Sequence, residues 1–172
     1  MSQPTLTLDQ VLTQRREASR EIVNVDEPSA KLVIFQLAED WFAFYGNKIR
    51  EILSHVEVFF VPGCPASLEG VINVRGDIES VIALHELLRL PQSAAARASS
   101  VLLGSGGGMT SGIRVDQVID VVDVPQSSIH PPPAPLPEHL RPLVCGVLRF
   151  KEKPVAVLDL DRIFSDYGNG LG

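Results

Sequence analysis

Cysteine is scarce in this chain: its 172 residues hold two, Cys64 and Cys145. One disulfide is arithmetically possible, but nothing else points to export. There is no basic start followed by an apolar segment, and no apolar run long enough to cross a bilayer. Two reduced thiols in a cytoplasm are therefore expected. Each sits just before an expected strand and reads as a small apolar packing residue. Positive charge is also short. The net charge of −6 argues against a nucleic-acid binder, which needs a basic stripe to release counterions from phosphate. It argues equally against docking on an anionic membrane. A chain of this length buries about 70% of its unfolded surface, so it needs no metal or disulfide staple.

Signatures of catalysis and metal binding are missing too. The histidines His55, His85, His130 and His139 show no i,i+4 pair, and no cysteine pair joins them. There is no Gly-x-Ser-x-Gly elbow. Gly104-Ser105-Gly106-Gly107-Gly108 looks like a phosphate loop but opens no helix and lacks the Lys-Ser/Thr that follows one. It reads as a hairpin tip. Asp159 and Asp161 read as carboxylates at the positive end of a short helix. Nothing asks for an enzyme or a cofactor.

What is present is a repeat. Lys31–Leu53 runs parallel without a gap to Ser100–Val122, an offset of 69 (100 − 31). Gly70–Leu88 runs parallel to Gly146–Phe164, an offset of 76 (146 − 70). Apolar positions match: Val71 with Val147, Ile72 with Leu148, Val81 with Val157, Ile82 with Leu158, Leu84 with Leu160, Leu87 with Ile163. Two similar β units imply a duplicated architecture with a seam, and seams are where partners often bind. The copies differ in charge: Arg75-Gly76 in the first stands where Lys151-Glu152 stands in the second.

Residues 1–30 read as a helix over Leu8–Ile22 and a polar linker ending near Pro28. Thr7-Leu8-Asp9-Gln10 has capping-box form, and Leu8, Val11, Leu12, Arg15, Ala18 and Ile22 follow a helical stripe. That stripe can pack on the body or pair with a second copy as an oligomer contact. Strands are expected over Leu32–Leu37, Trp41–Tyr45, part of Asn47–Leu53, Val56–Val61, Gly70–Val74 and Ile78–Ala83. They recur over Ser100–Gly104, Thr110–Val115, Val118–Val124, Cys145–Phe150 and Pro154–Leu158. Short helical segments are expected at His85–Leu90 and Asp159–Tyr167, with Pro91–Ser99 as connector and Pro125–Pro142 as a stiff proline-rich loop. The fold class is all-β with short helices: a domain over 31–166, its two pseudo-repeated subdomains at about 31–90 and 100–166, and a tail over 167–172.

Arg75 is the charge to watch. It sits at the mouth of a hairpin beside Gly76. A guanidinium there can fork onto a carboxylate, and Glu51, in the largely apolar Ile49–Leu53 segment that also holds Arg50, is the candidate partner. The pair is either an exposed one of small energetic weight or an oriented arginine that presents donors to a protein partner.

KIREI at Lys48–Ile52, GVINVRG at Gly70–Gly76, GIRVDQVIDVV at Gly112–Val122 and AVLDLDRIF at Ala156–Phe164 together resemble the CheW family of chemotaxis adaptors. The resemblance spans about Lys31 to Phe164. It implies two intertwined SH3-like β-barrel subdomains, five strands each, and no catalysis. It implies a cytoplasmic adaptor, recruited to receptor arrays, that bridges the regulatory domain of a CheA-type histidine kinase and the cytoplasmic tip of methyl-accepting chemoreceptors. By motif it carries partner contacts onto Glu51 and Arg75, with Gly70, Asn73 and Gly76 shaping the hairpin and Ile49 beside Glu51. Two departures stand out: Ser80 and Ala83 replace the Pro and Asp usual after the hairpin. Two rival readings accompany it. One is a same-fold adaptor or non-coupling competitor in a twitching-motility or gene-regulatory pathway. The other is a small-molecule binder or enzyme on the same scaffold.

Overall fold

A computed structural model describes residues 27–91 and 100–167. The expected N-terminal helix, most of the connector and the tail after Tyr167 lie outside these residues. Among these residues the regular structure comprises two 3-10 turns, Gly46–Lys48 and Gln126–Ser128, with ten strands and two short α-helices. They are β1 (Ser29–Leu37), β2 (Asp40–Tyr45), β3 (Ile49–Ser54), β4 (Leu68–Val74), β5 (Asp77–Ala83) and α1 (Leu84–Leu87). Then come β6 (Ser100–Gly106), β7 (Met109–Val115), β8 (Gln117–Pro125), β9 (Val144–Phe150), β10 (Lys153–Leu158) and α2 (Leu160–Asp166).

The strands form two five-stranded sheets, β8-β1-β2-β10-β9 and β3-β6-β7-β5-β4. The repeat maps β1 to β6, β2 to β7, β3 to β8, β4 to β9 and β5 to β10, and the two strand orders agree under that mapping. Each sheet draws strands from both sequence halves. The division between sheets therefore does not run through the connector; it falls after β2 and again after β7. One sheet is sealed by the parallel pairing of β2 with β10, the other by that of β5 with β7.

Period-two alternation explains how the cores divide. On β1, Leu32 and Ile34 face a cluster with Leu148 and Val157 inside one sheet. Their counterparts Val101 and Leu103 face Ile72 and Val81 inside the other. The alternate residues Val33 and Phe35 turn to a third, larger cluster with Leu102, Ile113, Ile82, Leu158, Leu160 and Phe164. That cluster joins both sheets along the seam, and Phe35 stacks on Phe44 at 5.1 Å between ring centroids.

The expected strand over Val56–Val61 does not form. Only Phe59 pairs, in an isolated bridge with Val71. Val56 and Val58 pack on one sheet's core, but Phe59 and Phe60 are 50% and 76% exposed, so the aromatic half of the segment lacks a surface to pack on. Cys145 lies in β9, within the expected strand Cys145–Phe150, but on its exposed face and not as a packing residue, with its thiol 3.5 Å from the Val157 carbonyl oxygen. Gly107 and Gly108 do occupy a hairpin tip, with φ of +58° and +79°.

Candidate functional site

The β4–β5 hairpin turns on Arg75 and Gly76, both in the left-handed region at φ of 52° and 94°. Two positive-φ residues make the turn whose twist suits a two-residue hairpin. Gly76 takes that geometry without strain, and the Asn73 side chain accepts its amide proton at 2.8 Å. So Asn73 and Gly76 set the direction in which Arg75 leaves the sheet. Arg75 Nη1 donates to Glu51 Oε1 at 3.0 Å and Nη2 donates to Oε2, the fork the sequence suggested. The hydrogen bond from Arg75 holds the Glu51 carboxyl below the usual carboxylate range, with the charges of Arg75 and Arg50 adding to it and partial desolvation opposing.

Glu51 lies on β3 and Arg75 at the end of β4, and these strands are the two edges of one sheet. Flat, five strands spaced about 4.8 Å apart would hold those edges about 19 Å apart. Two side chains cannot span that distance and still fork, so the sheet is curled. The chain after β3 adds to the closure by pairing Phe59 with Val71 on the outer edge of β4. Gly70 permits this approach: a Cβ there would stand 2.2 Å from the Phe59 carbonyl oxygen.

Of the six site residues named from sequence, Glu51, Asn73, Arg75 and Gly76 meet at one place. Gly70 serves the same edge from below. Ile49 does not join them: its half-buried side chain packs on the seam cluster. Next to the clasp, Ile52 is 40% exposed and Ile78, which pairs with Asn73, is 64% exposed. The clasp is thus bordered by uncovered apolar side chains.

Several contacts were not legible in sequence. Arg114 of β7 pairs with Glu69 of β4. The Asp116 carboxylate accepts the amide of Ala38 at 2.8 Å and so holds the β1–β2 turn. Lys48 reaches Asp161 at 2.9 Å, tying the turn before β3 to α2. These cross-element pairs have no local spacing to announce them. The two departures are also accounted for structurally. The Ser80 hydroxyl lies 2.8 Å from that of buried Ser111, which donates in turn to the Ser80 carbonyl at 3.0 Å. Ala83 precedes α1 without a side-chain cap, whereas its counterpart Asp159 caps α2 by accepting from Arg162 N at 3.1 Å.

No described group of three or more His, Cys, Asp or Glu side chains gathers as metal ligands. No described helix is long and apolar enough to cross a membrane. The CheW-like domain matches residues 31–168. The chemotaxis protein CheW of Treponema pallidum (strain Nichols) is 28% identical over 145 residues, covering 82% of this chain and 85% of that protein. The probable chemotaxis protein CheW of Rhizobium etli is 23% identical, covering 86% and 96%. The crystal structure of the scaffolding protein TtCheW from Thermoanaerobacter tengcongensis superposes with a TM-score of 0.70 at 28% identity, over 78% of this chain and 92% of that one. A match of this extent, over a range that includes the hairpin and its clasp, places the chain in the CheW-like domain family.

Proposed function

We propose that this protein is a non-catalytic adaptor of a chemosensory array, joining chemoreceptors to a CheA-type histidine kinase. Its relatives are named for chemotaxis and, in one case, for scaffolding. The observation that carries the reading is the Arg75–Glu51 clasp beside exposed Ile52 and Ile78. A small apolar surface with a few oriented charges is the usual make-up of a protein interface. The guanidinium is forked onto one carboxylate yet 71% exposed, so its remaining donors face outward. Glu51, Arg75, Asn73, Gly76 and Gly70 form the partner-contact unit, and Ile49 anchors it to the core. The curl of the clasped sheet supports SH3-like barrel closure of the subdomain that carries it, and the matching strand order extends the same reading to the other.

The test is titration of the purified protein against the regulatory domain of a CheA-type kinase and against a receptor signalling tip. Saturable binding to either, weakened by Arg75→Glu with the fold retained, supports the adaptor role. Absence of binding to both refutes it. Deletion of residues 1–29 alongside reports whether the N-terminal segment takes part in binding or in self-association.

A further inference from the structure

The second hairpin tip carries a site of another kind. The repeat places Lys151 where the first copy has Arg75, and Asp120 where it has Glu51. Lys151 and Glu152 form the β9–β10 turn at φ of 50° and 65°, the same left-handed pair as Arg75 and Gly76. The clasp, however, is missing. The Asp120 carboxylate accepts the neighbouring Val121 amide at 2.8 Å instead. Among the described residues, no acid pairs with Arg149, Lys151 or Lys153.

Two of these cations rest on aromatic rings. Lys153 Nζ lies 4.7 Å from the centroid of Trp41, and Lys151 Nζ lies 5.3 Å from that of Phe150. The rings lie 6.2 Å apart and close the end of one sheet's core. A ring beneath an ammonium holds it in place without using its N–H donors. Two long side chains are thereby ordered in advance, which lowers the entropy cost of binding.

We propose that this tip docks a carboxylate-rich segment of a protein partner, through Lys151 and Lys153 on the Trp41–Phe150 platform. The first copy shows the chemistry that this turn position accepts: its cation takes a carboxylate from its own chain. In the second copy the internal carboxylate is engaged elsewhere, so the matching one comes from outside. A narrow peptide suits the tip better than an anionic bilayer. A flat membrane would press more of a surface of net charge −6 against negative lipid. The site is on the other sheet from the Arg75–Glu51 clasp and does not depend on the receptor and kinase reading.

Trp41 is the only tryptophan of the chain, so its fluorescence reports on this tip. The experiment titrates the full-length protein with oligo-glutamate peptide at low ionic strength, reading Trp41 emission and calorimetric heat together. Saturable binding is expected, weakened about tenfold or more by Lys151→Glu with Lys153→Glu, and weakened by added salt. The charge-matched pair Arg89→Glu with Arg141→Glu, placed elsewhere on the surface, should retain binding. No response to the peptide, equal loss in both double variants, or a response to phosphatidylglycerol vesicles with none to peptide would overturn the proposal.

Discussion

Arg75 and Glu51 sit on opposite edges of a single five-stranded sheet and meet through a two-pronged hydrogen bond. The contact joins the two family motifs that carry these residues, and it fixes the curl of the sheet that presents them. Its energetic weight is small because both groups face solvent. Its geometric weight is larger, because it decides where an exposed guanidinium points.

The first prediction concerns pH. Arg75 holds the folded-state pKa of Glu51 below its unfolded value. Such a group stabilises the fold fully above the unfolded pKa and loses that contribution as pH falls through the folded one. The clasp is therefore intact at neutral pH and opens in acid. An NMR titration of the Glu51 carboxyl should give a midpoint below that of a free glutamate. Arg75→Gln should raise it, and high salt should raise it in the same direction. A midpoint indifferent to Arg75→Gln would contradict the clasp.

The second concerns two glycines at matching positions of the repeat. At Gly70 an added Cβ meets the Phe59 carbonyl oxygen at 2.2 Å; at Gly146 it meets the Ile129 Cγ2 methyl at 2.6 Å, with the His130 carbonyl oxygen farther off at 3.3 Å. Both sites face a paired carbonyl oxygen, but the one at Gly70 stands 1.1 Å closer (3.3 − 2.2), and the remaining obstacle at Gly146 is a methyl that shifts more readily than backbone. Gly70→Ala should therefore lower stability by about 1–3 kcal/mol, and Gly146→Ala by less. Urea unfolding of both variants measures the order, and the reverse order would be inconsistent with the Phe59–Val71 bridge.

Helix capping gives the third. Asp159 accepts the Arg162 amide and begins a helix of seven residues, while Ala83 at the equivalent place begins one of four. Asp159→Ala should cost about 1 kcal/mol and Asp159→Asn clearly less, since the amide oxygen still caps. Equal losses in thermal unfolding would assign the effect to charge rather than to the hydrogen bond.

Much of this architecture was legible in the sequence, and particular residues show why. Matched apolar positions such as Ile72 with Leu148 and Val81 with Val157 record which face of each strand is buried, and they do fall at equivalent places in twin cores. They do not record which edge meets which. The exchange of strands between halves depends on the parallel pairings of β2 with β10 and β5 with β7, which link residues far apart in the chain. The segment around Phe59 and Phe60 differs for a related reason: strand propensity reflects a surface to pack against, which Val56 and Val58 find but Phe59 and Phe60 do not. Arg75 and Glu51 could be paired from sequence because one sits at a hairpin tip beside Gly76 and the other offers a carboxylate within a short strand-like segment. The Lys153–Trp41 contact could not, because neither residue marks the other locally.

The measurement that bears most directly on the adaptor reading is calorimetric titration of the full-length protein into the regulatory domain of a CheA-type kinase, and separately into a receptor signalling tip, with Arg75→Glu run in parallel. The account predicts saturable binding to at least one of them, weakened by about 1–3 kcal/mol in Arg75→Glu while its circular dichroism and unfolding midpoint stay near those of the parent. Equal affinity of the parent and Arg75→Glu for each partner, or no binding of either form to both partners, would contradict it.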